Sequence, residues 1–131
     1  MFSFVKSNGG HNFPAIVEKP TTASTSYKVG DALALSDGAL VLATGETAPE
    51  FICAEKYDAP ASGQKDICVY PVYGFQEWKT TFAAAATALK VGDKVTIHTD
   101  GEQVTATTTK GVAEIVEILG TAIGDSVVVK F

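Results

Sequence analysis

The chain writes one phrase twice: "YKVGDALALSDG" begins at Tyr27 and "LKVGDKVTIHTDG" begins at Leu89. In each copy Lys-Val-Gly-Asp reads as a tight turn, because a glycine in third place takes the positive φ that such a turn needs. A short strand follows in each, "ALAL" in the first copy and "KVTIHT" in the second. The second alternates cleanly, as a half-buried strand does. Asp37-Gly38 and Asp100-Gly101 are hairpin signals. The agreement runs on in order. Val41, Ala43 and Thr44 match Val104, Ala106 and Thr107 with one inserted residue, Ala54-Glu55 match Ala113-Glu114, and Asp66 and Val69 match Asp125 and Val128. Ordered matches across several segments mark an internal repeat.

The repeat predicts a mainly β fold. It is expected as a compact barrel- or sandwich-like body built from two similar units, about 28–75 and 90–131, joined by 76–89 and forming one domain over 28–131. The join contains "FAAAATALK", and a run of alanines has high helix propensity. A short helix is therefore expected near 82–89, leaning on a sheet because so short a helix is not stable alone.

Residues 1–27 differ in texture. "SNGGHNFP" is a cluster of breakers and "KPTTASTS" is polar, with only "AIVEK" between them. This predicts an extended N-terminal arm with one short adhesive segment. Phe2 and Phe4 fall on one face if the arm is extended, since side chains alternate. With Val5, Phe13, Ile16 and Val17 they form a candidate partner-binding strip.

A net charge of −5, with 15 acidic against 10 basic residues, argues against a nucleic-acid-binding face or attachment to anionic membranes. No stretch reaches the ~20 apolar residues that cross a bilayer. "MFSFVKSNGG" lacks the long apolar core of a secretion signal, so folding in a cytoplasm is expected.

Catalytic and metal-binding patterns are not legible. Phosphate-loop, dinucleotide, nucleophile-elbow and zinc-protease motifs are absent from the sequence. Cys53 aligns with Val112 and Cys68 with Val127, each opposite an aliphatic residue of the other unit. That favours two small core residues over a disulfide or a catalytic thiol. His11 lies in the arm and His98 beside the second hairpin turn, too few for a metal site without added ligands. Asp31, Asp37, Asp93 and Asp100 fall at turns, where the side chain bonds the local backbone. Glu55 and Glu114 form a carboxylate pair only if the fold brings them together. No catalytic residue, metal or cofactor is expected. Tyr70, Tyr73, Phe75, Trp78 and Phe82 cluster near the join, as core packing or as a subunit interface, where Trp and Tyr are enriched.

From about Thr22 to Phe131 the layout resembles the head-decoration, or capsid-cement, proteins of tailed bacteriophages. The residues that carry the resemblance are "YKVGDALALSDGALVLATGETAPEFICAEKY", "CVYPVYGFQEW", "LKVGDKVTIHTDGEQVT", "GVAEIVEILG" and the final "SVVVKF". The plan is similar to that of the lambda-type decoration protein. The resemblance implies a structural, non-enzymatic virion protein, often trimeric, that binds the outside of the mature capsid. It implies an N-terminal arm lying against the major capsid protein. Other readings are a tail, baseplate or fibre-base component, or a small carbohydrate-binding β module.

Overall fold

The computed structural model describes residues 1–7, 10 and 13–131. Along them run twelve strands: β1 (Ser3–Ser7), β2 (Val17–Pro20), β3 (Ser26–Tyr27), β4 (Ala32–Ser36), β5 (Ala39–Leu42), β6 (Phe51–Cys53), β7 (Tyr57–Asp58), β8 (Asp66–Pro71), β9 (Gln76–Thr81), β10 (Lys94–Val95), β11 (Ala113–Ile118) and β12 (Ser126–Lys130). One five-stranded sheet has the order β1-β9-β12-β11-β10 and the other the order β2-β8-β6-β4-β5, with β3 and β7 forming a separate ribbon. All strand pairs are antiparallel.

Two apolar cores explain the arrangement. The first lies between the sheets and takes Ala32, Ala34 and Ile52 from the β4–β6 pair and Trp78, Ile115, Val127 and Val129 from the opposing sheet. The second lies on the other face of β4, where Leu33, Leu40, Phe51, Cys53, Ile67 and Val69 meet Tyr27 of the ribbon. Both faces of β4 are thus covered, which is why Ala32, Leu33 and Ala34 are all buried. A strand covered on both faces reads as a continuous apolar run, and "ALAL" does. The sheet containing β2 and β5 curls round the second core. Its two edges approach at a single parallel bridge between Thr21 and Leu40, without closing a barrel. The Tyr27 hydroxyl reinforces the bridge, donating to the Leu40 carbonyl at 2.7 Å and accepting from the Thr22 N–H at 2.8 Å.

The repeated phrase is structural. Lys28–Asp31 and Lys90–Asp93 are the same turn, in which the Asp N–H donates to the Lys carbonyl at 3.1 Å in both copies. The Asp carboxylate accepts from the Lys N–H, at 2.8 Å in the first and 2.9 Å in the second. Gly30 and Gly92 take φ of 91° and 95°. A third copy, Ala122–Asp125, was not evident in the sequence repeat: Ala122 N–H donates to Asp125 at 2.9 Å, and Gly124 has φ 86°. In all three the residue before glycine, Val29, Val91 or Ile123, is an exposed apolar side chain. Asp37 and Gly38 close β4 onto β5 with φ of 51° and 80°, the pair of positive values that a two-residue hairpin turn requires.

The two units share a strand order, β8-β6-β4 in one sheet and β12-β11-β10 in the other. The hydrogen bonds correct the sequence register, however. Gly30 N–H donates to Cys53 and Gly92 N–H to Ile115, while Cys53 N–H donates to Asp31 and Ile115 N–H to Asp93. Cys53 therefore corresponds to Ile115, not Val112. Cys53 faces Val69 as Ile115 faces Val129, so Cys68 corresponds to Val128, not Val127. The sequence match is three residues out here, because it pairs Ala54-Glu55 with the identical Ala113-Glu114, whereas the hydrogen bonds set Ala54-Glu55 against Val116-Glu117.

The helix expected near 82–89 does not form: the segment is irregular, with one turn at residues 87–88. Its backbone groups bond elsewhere, Ala83 N–H to Val104 and Ala86 N–H to Thr121. Ala86 is 1% exposed and belongs to the inter-sheet core. Tertiary bonds here outweigh a propensity of a few tenths of a kcal/mol per residue. Nor does the N-terminal segment project from the body. β1 is the edge strand beside β9, and β2 is the edge strand beside β8.

Candidate functional site

The residues expected to bind a partner separate into buried and exposed sets. Phe2 is 2% exposed and belongs to the inter-sheet core, meeting Phe131 edge-on at 5.5 Å. Phe4 sits opposite Trp78 in the β1–β9 register, with ring centroids 5.6 Å apart. Val5 is half-buried at the β1 bulge, and Val17 packs against the second core. Phe13 and Ile16 are 72% and 56% exposed, and Met1 is also 56% exposed. The arm thus uses its first residues to close its own fold and leaves Phe13 and Ile16 outside.

The aromatic cluster divides in the same way. Alternation along β9 turns Gln76, Trp78 and Thr80 inward, so Trp78 (1% exposed) is a core residue, as is Phe82. Tyr70 is half-buried against the same core. Tyr73 and Phe75 are more than half exposed and lie on the turn between β8 and β9. Their rings stack at 5.4 Å with an interplanar angle of 7°. The Gln76 side chain braces this turn, accepting from the Tyr73 N–H at 2.8 Å.

The titratable groups are dispersed. Among the described residues no group of three or more His, Cys, Asp and Glu side chains is placed to hold a metal ion. His98 Nδ1 lies 3.2 Å from Asp100 at the second hairpin, and His11 lies outside the described residues. Glu55 is held by Lys65 and by the Cys68 N–H, whereas Glu114 faces Lys130 at 3.6 Å; the two carboxylates serve separate ion pairs. Cys53 and Cys68 are free thiols. They point to opposite faces of one sheet, since Cys53 shares a face with Val69, the residue after Cys68. Burial pushes the Cys53 thiol up to about 11.

Two buried polar atoms, Asp31 Oδ1 and Trp78 Nε1, have no hydrogen-bond partner among the described residues. Asp31 is 3% exposed, and burial raises its pKa from 3.8 to about 6, against the lowering effect of the Lys28 N–H. Nothing in the sequence separates Asp31 from Asp93, which stands in the same turn but is only half-buried. The difference is tertiary: Met1 and Phe2 pack on Gly30, whose carbonyl accepts from the Phe2 N–H at 2.9 Å.

No family model matches the chain. No curated protein matches it either.

Proposed function

We propose that this chain is a structural accessory protein that binds and reinforces a protein shell, specifically a cement on the exterior of a mature tailed-phage capsid. The sequence resemblance over Thr22–Phe131 suggests the capsid. The observation that carries the reading is the set of exposed apolar side chains in the N-terminal segment: Met1 just before β1, and Phe13 and Ile16 between β1 and β2, strands that belong to opposite sheets. Large apolar side chains on a segment tied at both ends to strands suit a docking contact, because tethering lowers the ordering entropy lost on binding. The stacked Tyr73–Phe75 pair is a second exposed apolar feature and is assigned to self-association, with a homotrimer as the assembly. Linked strips then bind with an avidity beyond that of one copy. Attachment to the expanded shell alone stabilises that shell by mass action. The carbohydrate-binding alternative is reduced to Tyr73 and Phe75, since Trp78 and Tyr70 do not offer free ring faces.

Co-sedimentation with expanded and precursor phage heads tests the reading. Binding to expanded heads alone is expected. Replacing Phe13 and Ile16 by Ser should weaken binding at least tenfold, since exposed apolar anchors at interfaces are worth more than about 1 kcal/mol each. Undiminished binding by that double variant rules out the strip as the contact. Absence of binding to any head rules out the capsid.

A further inference from the structure

Three aspartates close the same turn, and the fold buries one of them. Asp93 and Asp125 are half-buried, whereas Asp31 is 3% exposed and its Oδ1 has no partner among the described residues. The turn itself therefore does not require a buried carboxylate. The cover is tertiary and comes from two sides. On one side the hairpin at 98–103 is pinned: the Ala32 N–H donates to the Gly101 carbonyl at 2.8 Å, and Lys28 meets Glu102 at 2.9 Å. On the other side lie Met1 and Phe2. The Phe2 N–H donates to the Gly30 carbonyl at 2.9 Å, and a Cβ on Gly30 would fall 2.7 Å from that of Met1. Met1 is itself 56% exposed and precedes an edge strand, so this cover is thin. The groups that face Asp31 do not neutralise it. Lys28 and the α-ammonium of Met1 favour the charged form, Glu102 opposes it, and burial outweighs them all. Cys53 of β6 faces it as a buried thiol, and Asp100, in the same hairpin as Glu102, is paired with His98.

We propose that Met1 and Phe2 form a proton-controlled latch over Asp31: loss of the Asp31 proton favours release of these two residues from Gly30, which hydrates the carboxylate and uncovers Phe2. The closed state holds the proton with a pKa of about 6, against 3.8 for a carboxyl in water. Opening returns the group to water, so opening gains as pH rises and is about a hundredfold more favourable at about pH 7.5 than at about pH 3.5. Released Phe2 joins Met1, Phe13 and Ile16 in the exposed apolar set, which makes the docking contact larger at neutral pH than in acid. That consequence rests on the proposed shell contact; the latch does not, and it is tested in the free protein.

Amide exchange of the labelled protein, read by NMR and corrected for the intrinsic rate at each pH, follows the Phe2 N–H. Its protection should be lower than that of the Ala32 and Ile115 amides and should not respond to dilute urea as a global opening does. Between about pH 3.5 and pH 7.5 it should fall about a hundredfold. In Asp31→Asn the protection should be flat over that range. In His98→Gln the fall should persist, which separates the carboxyl from the neighbouring imidazole. A Phe2 amide whose protection is constant with pH overturns the proposal, as does one that opens only with the whole fold, and neither measurement needs a variant. A fall that survives in Asp31→Asn, or vanishes in His98→Gln, overturns it as well.

Discussion

Asp31 is a buried carboxylate with one oxygen unpaired, and that makes it a source of pH-dependent instability. Its pKa is raised from 3.8 to about 6, so the folded protein holds this proton more tightly than the unfolded chain does. Below about pH 4 the group is neutral in both states and the penalty is absent. Between about pH 4 and pH 6 the unfolded chain ionises first, and stability falls as pH rises; above about pH 6 the loss is complete. A shift of about two units at 1.36 kcal/mol each corresponds to about 3 kcal/mol. Asp31→Asn preserves the acceptor for the Lys28 N–H and removes the ionisation. Urea unfolding followed by Trp78 fluorescence, from pH 3.5 to 7.5, measures both proteins. The stability of Asp31→Asn relative to the native protein should rise by about 3 kcal/mol across that range, whatever constant offset the amide introduces. Asp93→Asn, in the same turn but half-buried, separates the loss of a turn carboxylate from the effect of burying one. A flat difference across pH for Asp31→Asn refutes the reasoning, since it means that water reaches Oδ1.

Other consequences are equally direct. Gly30→Ala should cost more than Gly92→Ala, each bearing about 1–2 kcal/mol for positive φ, because a Cβ at Gly30 lies 2.7 Å from Met1 Cβ and one at Gly92 meets nothing within 4 Å. Urea midpoints should show that the excess disappears when Met1 and Phe2 are deleted. Tyr27→Phe removes the hydroxyl that joins Leu40 to Thr22 and should lower stability by about 1–3 kcal/mol, with faster amide exchange at Thr22. In the native state Cys53 should resist a thiol reagent at pH 8, since burial pushes its pKa up to about 11. Urea should expose it, and rapid native labelling at Cys53 would contradict its placement in the core.

How much of this was legible in the sequence depends on whether the deciding interaction was local. The Asp37-Gly38 hairpin and both Lys-Val-Gly-Asp turns were readable because their bonds close within four residues. The third turn, "AIGD" at 122–125, carries the same β-branched residue before Gly-Asp but lacks the lysine that opens the other two. The alanine run misled because its hydrogen-bond partners, Val104 and Thr121, are distant in sequence. The true repeat register was hidden because an identical Ala-Glu at 113–114 lies three residues before Val116-Glu117, which the hydrogen bonds set against Ala54-Glu55. Phe13 and Ile16 were legible as an exposed strip. Phe2 was not separable from them, nor Trp78 and Phe82 from Tyr73 and Phe75, because burial depends on which sheet each meets.

The two sheets differ in when they can exist. All five strands of the sheet β2-β8-β6-β4-β5, and the ribbon that caps it, lie between Val17 and Pro71. The other sheet needs β12, the last strand, to sit between β9 and β11. During synthesis the second core can therefore assemble while the inter-sheet core waits for Ser126–Lys130. In that interval Ala32, Ala34, Ile52 and Tyr70 face water, and β1 has no β9 to pair with until residue 81 has been made. A stalled or truncated chain ends with an open apolar sheet face and a loose leading strand. That is the form in which this protein is most exposed to aggregation and proteolysis.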